Sequence, residues 1–261
     1  MDSCCKNLKK HVISHYNNAN GLHNDQEHAH QIFQSSVMSA LINGVYEGNI
    51  TYGELSLHGD FGLGTFNDLD GEMVAIDGKF FQLTSNGSAT EVDPSQKTPF
   101  AMVTYFKGEI QHEITSPMDS RQLKGLIDSL VLSKNLFYAI RIDGEFSCVE
   151  TRTVSIQSAP FKPLTEVAKE EKIFDFSELR GTLAGFRSPD YSQGISVAGY
   201  HLHFIDDEQK RGGHVLDFKI NRGIVRIDTF SSVYIALPET EAFENARLGA
   251  DNGSAIKEAE G

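Results

Sequence analysis

The amino-acid sequence predicts an α+β fold, mainly antiparallel and mixed β-sheet in two packed halves with a few helices. Three observations carry this expectation. Runs of β-branched and aromatic residues far outnumber helical stripes. Strands follow one another without regular strand–helix alternation. Two Asp-Gly pairs, Asp77-Gly78 and Asp143-Gly144, sit between β-rich runs, and such pairs suit hairpins because a type I′ turn needs positive φ at both central residues.

Taken in order, residues 1–25 are polar, rich in Asn and His, and without sustained period, so a loosely ordered leader is expected. His11, His15, His23, His28 and His30 are read as solvated histidines rather than a metal tract. Ile32, Phe33, Val37, Ala40 and Leu41 recur at helical spacing before Gly44, predicting a helix over 29–43. Asp77-Gly78 predicts a hairpin in EMVAIDGKFFQL, and Phe106–His112 a strand. A stripe of Leu123, Leu126, Ile127, Leu130 and Val131 predicts a helix over 121–132 with Ser120 as N-cap. Asp143-Gly144 predicts a second hairpin in LFYAIRIDGEFSCVETR. The segment SAPFKP at 158–163 then divides an N-terminal mixed-sheet half (26–158) from a C-terminal sheet half (159–238). Short helices follow at Thr165–Lys169 and Thr240–Leu248, and strands at 173–177, 181–187, 195–206, 213–220 and 224–236. The remainder of 239–261 is small and polar, with a free tail as the default.

Composition bounds the function. Of 261 residues, 39% are hydrophobic and 23% charged, which is ordinary globular usage. With 23 Lys+Arg against 36 Asp+Glu the net charge is −13, which weighs against a nucleic-acid partner because phosphate binding depends on clustered cations. Cys4, Cys5 and Cys148 are odd in number and write no disulfide framework, so a reducing cytoplasm is expected. No signal-peptide core and no membrane-length apolar run is present. A homodimer is the default oligomer.

The chemistry lies in GYHLHFIDDEQKRGGHVLDF, residues 199–218. His201 and His203 are two apart on a predicted strand and share a face. If the hairpin centre falls between Glu208 and Gln209, His214 lies opposite His203, and directly opposed Cβ atoms are about 5 Å apart. Three converging imidazoles with a free fourth position make a catalytic metal site, with zinc as first choice. Ile205, Leu216 and Phe218 are expected on the same face, keeping it partly dry. The plainer alternative is three histidines satisfied by hydrogen bonds. A cupin reading through Glu208 fails because its framing glycines and second motif are missing, and GDFGLGTF at 59–66 lacks the Lys-Ser/Thr of a phosphate loop. A zinc hydrolase using metal-activated water, or a closed four-ligand binding module, remains open at this point.

The chain resembles the acetolactate decarboxylase family from about Ile32 onward. The resemblance rests on the order and spacing of HGDFGLGTFNDLDGEM at 58–73, KTPFAMVTYF at 97–106 and NLFYAIRIDGEF at 135–146. TRTVSIQ at 151–157, GTLAGFRSP at 181–189 and the His segment complete it. The resemblance implies decarboxylation of 2-acetolactate to (R)-acetoin and CO2 with zinc held by His201, His203 and His214, and no organic cofactor. It implies catalytic roles for Glu72, Arg152 and Glu260, with Glu258 as the alternative on a tail that returns to the site. Thr65, together with Arg152, is implied as a substrate contact. Alone, Glu72 would pass for an exposed strand charge, Arg152 for a surface ion-pair residue, and Thr65 for a β-former.

Overall fold

The computed structural model describes residues 30–249 and 253–260, and the expected leader lies outside them. In chain order the strands are β1 (Ile32–Ser35), β2 (Ile50–Thr51), β3 (Phe61–Thr65), β4 (Glu72–Ile76), β5 (Lys79–Leu83), β6 (Ala89–Glu91), β7 (Lys97–Thr98) and β8 (Phe100–Thr104). Then come β9 (Ile110–Ile114), β10 (Met118–Asp119), β11 (Phe137–Thr153), β12 (Lys172–Ser188), β13 (Gly199–Asp206), β14 (Gly212–Phe230) and β15 (Val233–Ala236). The helices are α1 (Met38–Ile42), α2 (Tyr52–Leu55), α3 (Ser120–Leu130), α4 (Leu164–Val167), α5 (Glu241–Asn245) and α6 (Gly253–Glu260).

Seven strands form the first sheet in the order β15-β1-β8-β3-β4-β5-β6, antiparallel except for the β1–β15 pair. In the second sheet β11 pairs with β12 and β14, and β13 pairs with both β12 and β14, so these four strands close into a ring. Strands β9 and β10 pair with β14 from outside that ring. The predicted α+β class with mainly antiparallel sheet is the observed one. The second sheet draws on both sides of 158–163, because β11 precedes that segment and β12, β13 and β14 follow it.

Strands β3 and β4 pack against β12 and β13, and the layer between them is apolar: Leu63, Val74, Ala184, Phe186 and Ile205 belong to one buried cluster with Ile256 of α6. A second cluster, with Phe146, Leu202, Phe204, Phe218 and Ile220, fills the other side of the ring under Leu123 and Ile127 of α3. Two glycines permit the close packing of the sheets. A Cβ at Gly185 would meet the His201 carbonyl oxygen at 2.1 Å and Leu63 Cδ2 at 2.9 Å, and one at Gly212 would meet the Phe204 carbonyl oxygen at 2.1 Å.

Several local expectations are corrected. The 29–43 helix is instead β1 followed by the one-turn α1, separated by Ser36 at φ 65°. All four β1 residues are buried between β8 and β15, and Ile32 and Phe33, on opposite faces of the strand, only mimic the start of a helical stripe. Asp77-Gly78 is the expected hairpin, with φ of 53° and 77°. Asp143-Gly144 is no turn: both lie inside β11, opposite Thr182 and Gly181 on one side and Ile224 and Gly223 on the other. Asp143 is held there by Arg141, Arg226 and Thr182. The strands expected at 173–177 and 181–187 are one, β12, and those at 213–220 and 224–236 are β14 and β15. Helix α3 is capped by Asp119 rather than Ser120, in a reciprocal pair with Gln122. The strand expected at 106–112 begins later, as β9.

The reason for that delay is Asp228 of β14. Its buried carboxylate accepts the backbone N–H groups of Lys107, Gly108 and Glu109 at 2.6, 3.1 and 2.7 Å. The segment is thereby turned toward β14 before β9 can pair with it. Asp228→Ala removes three charge-assisted acceptor contacts at once and is expected to cost on the order of 2–3 kcal/mol. Urea unfolding reads this as a lowered midpoint at unchanged slope; a loss below about 0.5 kcal/mol would show that other contacts hold the loop.

Candidate metal centre and active site

The β13–β14 hairpin is a rigid support. Asp206, buried at the end of β13, accepts from Lys210 N at 2.8 Å, Arg211 N at 3.1 Å and Arg211 Nε at 2.8 Å, which fixes the turn. His203 and His214 then face each other in register, as the hairpin arithmetic predicts, and His201 shares their side of the sheet. The three ring centroids are 5.1–5.4 Å apart pairwise. One nitrogen from each ring lies within 4.8 Å of the others, and all three residues are buried.

Local chemistry sets the tautomer of His203. Its Nδ1 is 2.7 Å from the Met73 carbonyl oxygen, which can only accept, so Nδ1 donates and Nε2 keeps its lone pair. Nε2 is buried without a hydrogen-bond partner in the protein. An imidazole anchored through one nitrogen with the other presented to a shared point is the usual setting of a metal ligand. Burial, reinforced by the other imidazole and the Arg152 charge, holds His201 well below the ordinary histidine range. His203 is pushed down to about 4, chiefly by burial with help from Arg152 and against the Met73 contact. Both rings are therefore neutral at pH 7, the state a metal requires. The donor set fits a divalent first-row ion.

Glu72 opens β4 on the face shared with Val74, toward the second sheet, and its Oε2 lies 3.7 Å from His203 Nε2. The strand that carries this carboxylate also supplies the carbonyl that orients His203. The approach to β4 is shaped by positive φ at Asp68, Leu69 and Gly71. A Cβ at Gly71 would stand 2.3 Å from the Leu83 carbonyl oxygen, so only glycine fits. Thr65, the register partner of Glu72, is buried, and its hydroxyl donates to the Gly71 carbonyl at 2.7 Å. This contact braces the turn before Glu72. Gln82 Nε2 braces it too, donating to the Asp70 carbonyl at 2.5 Å.

Arg152 lies opposite His214 in the β11–β14 pairing, so both side chains project to the same side. It is 3% exposed. Its Nη1 donates to Glu171 Oε2 at 2.9 Å and its Nη2 to the Ala259 carbonyl of α6. The chain's last helix thus reaches the guanidinium, with Ile256 and Ala259 in the core between the sheets. The side chains of Glu258 and Glu260 lie outside the described residues.

Phe218 departs from its expected side. Register shifts between Glu150 and Thr151, where Thr151 faces Val215 but Glu150 faces Asp217, so Leu216 is an extra residue on β14. That bulge reverses the alternation, and Phe218 joins Phe146 and Phe204 in the cluster away from the histidines. Ile205 does remain on the histidine side. Sequence reasoning also missed Glu171, Gln82 and the Met73 carbonyl. Glu171 sits in Lys169–Lys172, which passes for a solvated charge run, and backbone acceptors leave no mark in a sequence.

A family model described as alpha-acetolactate decarboxylase matches residues 32–250. An alpha-acetolactate decarboxylase from Methylococcus capsulatus is 51% identical over 231 residues, 88% of this chain and 89% of that protein. One from Klebsiella aerogenes is 45% identical over 221 residues, 85% of each. The crystal structure of alpha-acetolactate decarboxylase from Bacillus subtilis superposes with a TM-score of 0.87 at 44% identity, covering 88% of this chain and 99% of that one.

The depressed imidazoles fix a pH response of the metal-free protein. Below the ordinary value of 6.5 the unfolded chain takes up protons that folded His203 refuses until about pH 4. Its contribution to stability is therefore complete above 6.5 and is lost as pH falls toward 4. Its full size is on the order of 3 kcal/mol. Urea midpoints of chelator-treated protein between those pH values should fall more steeply than those of His203→Phe. Parallel curves would refute the assignment.

Proposed function

The chain belongs to the alpha-acetolactate decarboxylase family, and from that premise we propose that it converts 2-acetolactate to (R)-acetoin and CO2 at a zinc site formed by His201, His203 and His214. The observation that carries the proposal is the convergence of three buried imidazole nitrogens within 4.8 Å of one another, with the Glu72 carboxylate 3.7 Å from His203 Nε2. A cytoplasmic homodimer without nucleic-acid or membrane partner completes the reading. Cys148 is a free thiol, and among the described residues no helix is long and apolar enough to cross a membrane.

The reaction breaks the bond between the carboxylate and the hydroxyl-bearing carbon. Its electron pair moves into the neighbouring ketone as CO2 leaves, and a proton then adds to that carbon. Zinc held by His201, His203 and His214 would supply a Lewis acid for the charge that develops on the substrate oxygen, so no organic electron sink would be required. Arg152 holds the substrate carboxylate or steers the proton, since its planar fork suits a carboxylate. Glu72 is the acid/base group that manages the proton at the reacting carbon. Glu260 is assigned to the same site from the tail. Thr65, buried opposite Glu72 and bonded to Gly71, is assigned the substrate contact together with Arg152.

The roles separate by experiment. Glu72→Gln is expected to lower acetoin formation about 100-fold or more with bound zinc unchanged, and Arg152→Ala to lower it comparably. His203→Ala should lose the metal itself. Near-normal turnover of either of the first two variants with zinc bound would remove that residue from the mechanism. Ester or amide hydrolysis in place of acetoin formation would move the site to metal-activated water.

A further inference from the structure

We infer that Glu171 is a positioning residue for this reaction: it sets the orientation of the Arg152 guanidinium at the metal centre. The inference rests on the proposed role of Arg152. Strand pairing places Arg152 opposite Ile173, and Glu171 lies two residues before Ile173. Residues two apart on a strand share a face, and a diagonal neighbour is within reach of long side chains. Glu171 sits where the turn Ala168–Glu170 gives way to β12, with its N–H bonded to the Ala168 carbonyl. The carboxylate therefore approaches from a well-anchored backbone.

The environment makes the contact consequential. The Arg152 side chain is 4% exposed and that of Glu171 23%, with 2.9 Å between Nη1 and Oε2. Removing a carboxylate bonded to a guanidinium at that depth shifts it toward its remaining acceptors or water. With Glu171 on Nη1 and the Ala259 carbonyl on Nη2, two separate elements fix the plane of the fork. Both contacts come from segments that carry none of the metal ligands, so the arginine is aimed independently of the ion. Glu171 itself makes no chemical step.

The test is a double-mutant cycle on the zinc-loaded enzyme, with Glu171→Ala, Arg152→Ala and the pair, read as enzyme-dependent acetoin formation under single-turnover conditions. Glu171→Ala is expected to lower kcat/KM roughly 10- to 100-fold, the scale of a misplaced catalytic group, with metal content unchanged. In the Arg152→Ala background the same substitution is expected to change the rate by about twofold or less, because its target is gone. Glu171→Gln keeps the shape and an acceptor oxygen, should lose less than Glu171→Ala, and carries the cycle if the alanine variant does not fold. Equal losses in both backgrounds would show that Glu171 acts on the fold and not through Arg152, and would overturn the inference, as would near-normal activity of Glu171→Ala. Near-normal activity of Arg152→Ala would instead bring down the arginine's own role, and this inference with it.

Discussion

The pairing of His203 with His214 is the constraint from which the rest follows. Strand β13 is hydrogen-bonded on both edges, to β12 and to β14, so its register cannot slip without breaking two ladders. A slip of one residue would send the imidazoles to the opposite side of the sheet. Closing the ring therefore does for the histidine cluster what a disulfide does for a small domain: it removes alternatives. The price is dense apolar packing on both sides of β13, and at Gly185 and Gly212 there is no room for a side chain.

Within that frame the site is a problem of charge in a dry place. The imidazoles of His201 and His203 are neutral, but Arg152 is charged, and it bears on both rings as well as on any anion. Glu72 and Glu171 stand on either side of this arrangement, one beside His203 and one on the guanidinium. Burial strengthens each interaction and raises the cost of leaving any charge unmatched. The acidic surplus of the whole chain has little part in this, since the groups matched here are buried or half-buried rather than surface charges.

How much was legible in the sequence follows the range of the interactions involved. The histidine register could be counted because both arms of the hairpin are short and regular and the turn between them is polar. The same counting fails beyond Leu216, since a bulge adds a residue without any compositional sign and Phe218 changes sides. Asp143-Gly144 has the composition of a turn, yet long-range pairing on both edges extends the strand through it. The first strand looked helical because Ile32 and Phe33, followed by one helical turn with Ala40 and Leu41, reproduce that spacing. Glu72, Arg152 and Thr65 stood out only through family resemblance, because a lone carboxylate, arginine or threonine on a strand has no periodic signature. Glu171 was beyond both routes: its meaning lies in a diagonal contact with Arg152 that exists only once β11 and β12 are paired.

Glu72 and Met73 are consecutive residues of one strand, and both meet His203, the first with its carboxylate 3.7 Å from Nε2 and the second with its carbonyl 2.7 Å from Nδ1. The carboxylate beside His203 and the acceptor that selects its tautomer are consequently inherited as one unit. A lineage, or a designer, that lengthens the turn at 67–71 to move the carboxylate also moves the acceptor that selects the imidazole tautomer. Reshaping the site without disturbing His203 is then more accessible away from this strand, whose two contacts cannot be traded separately.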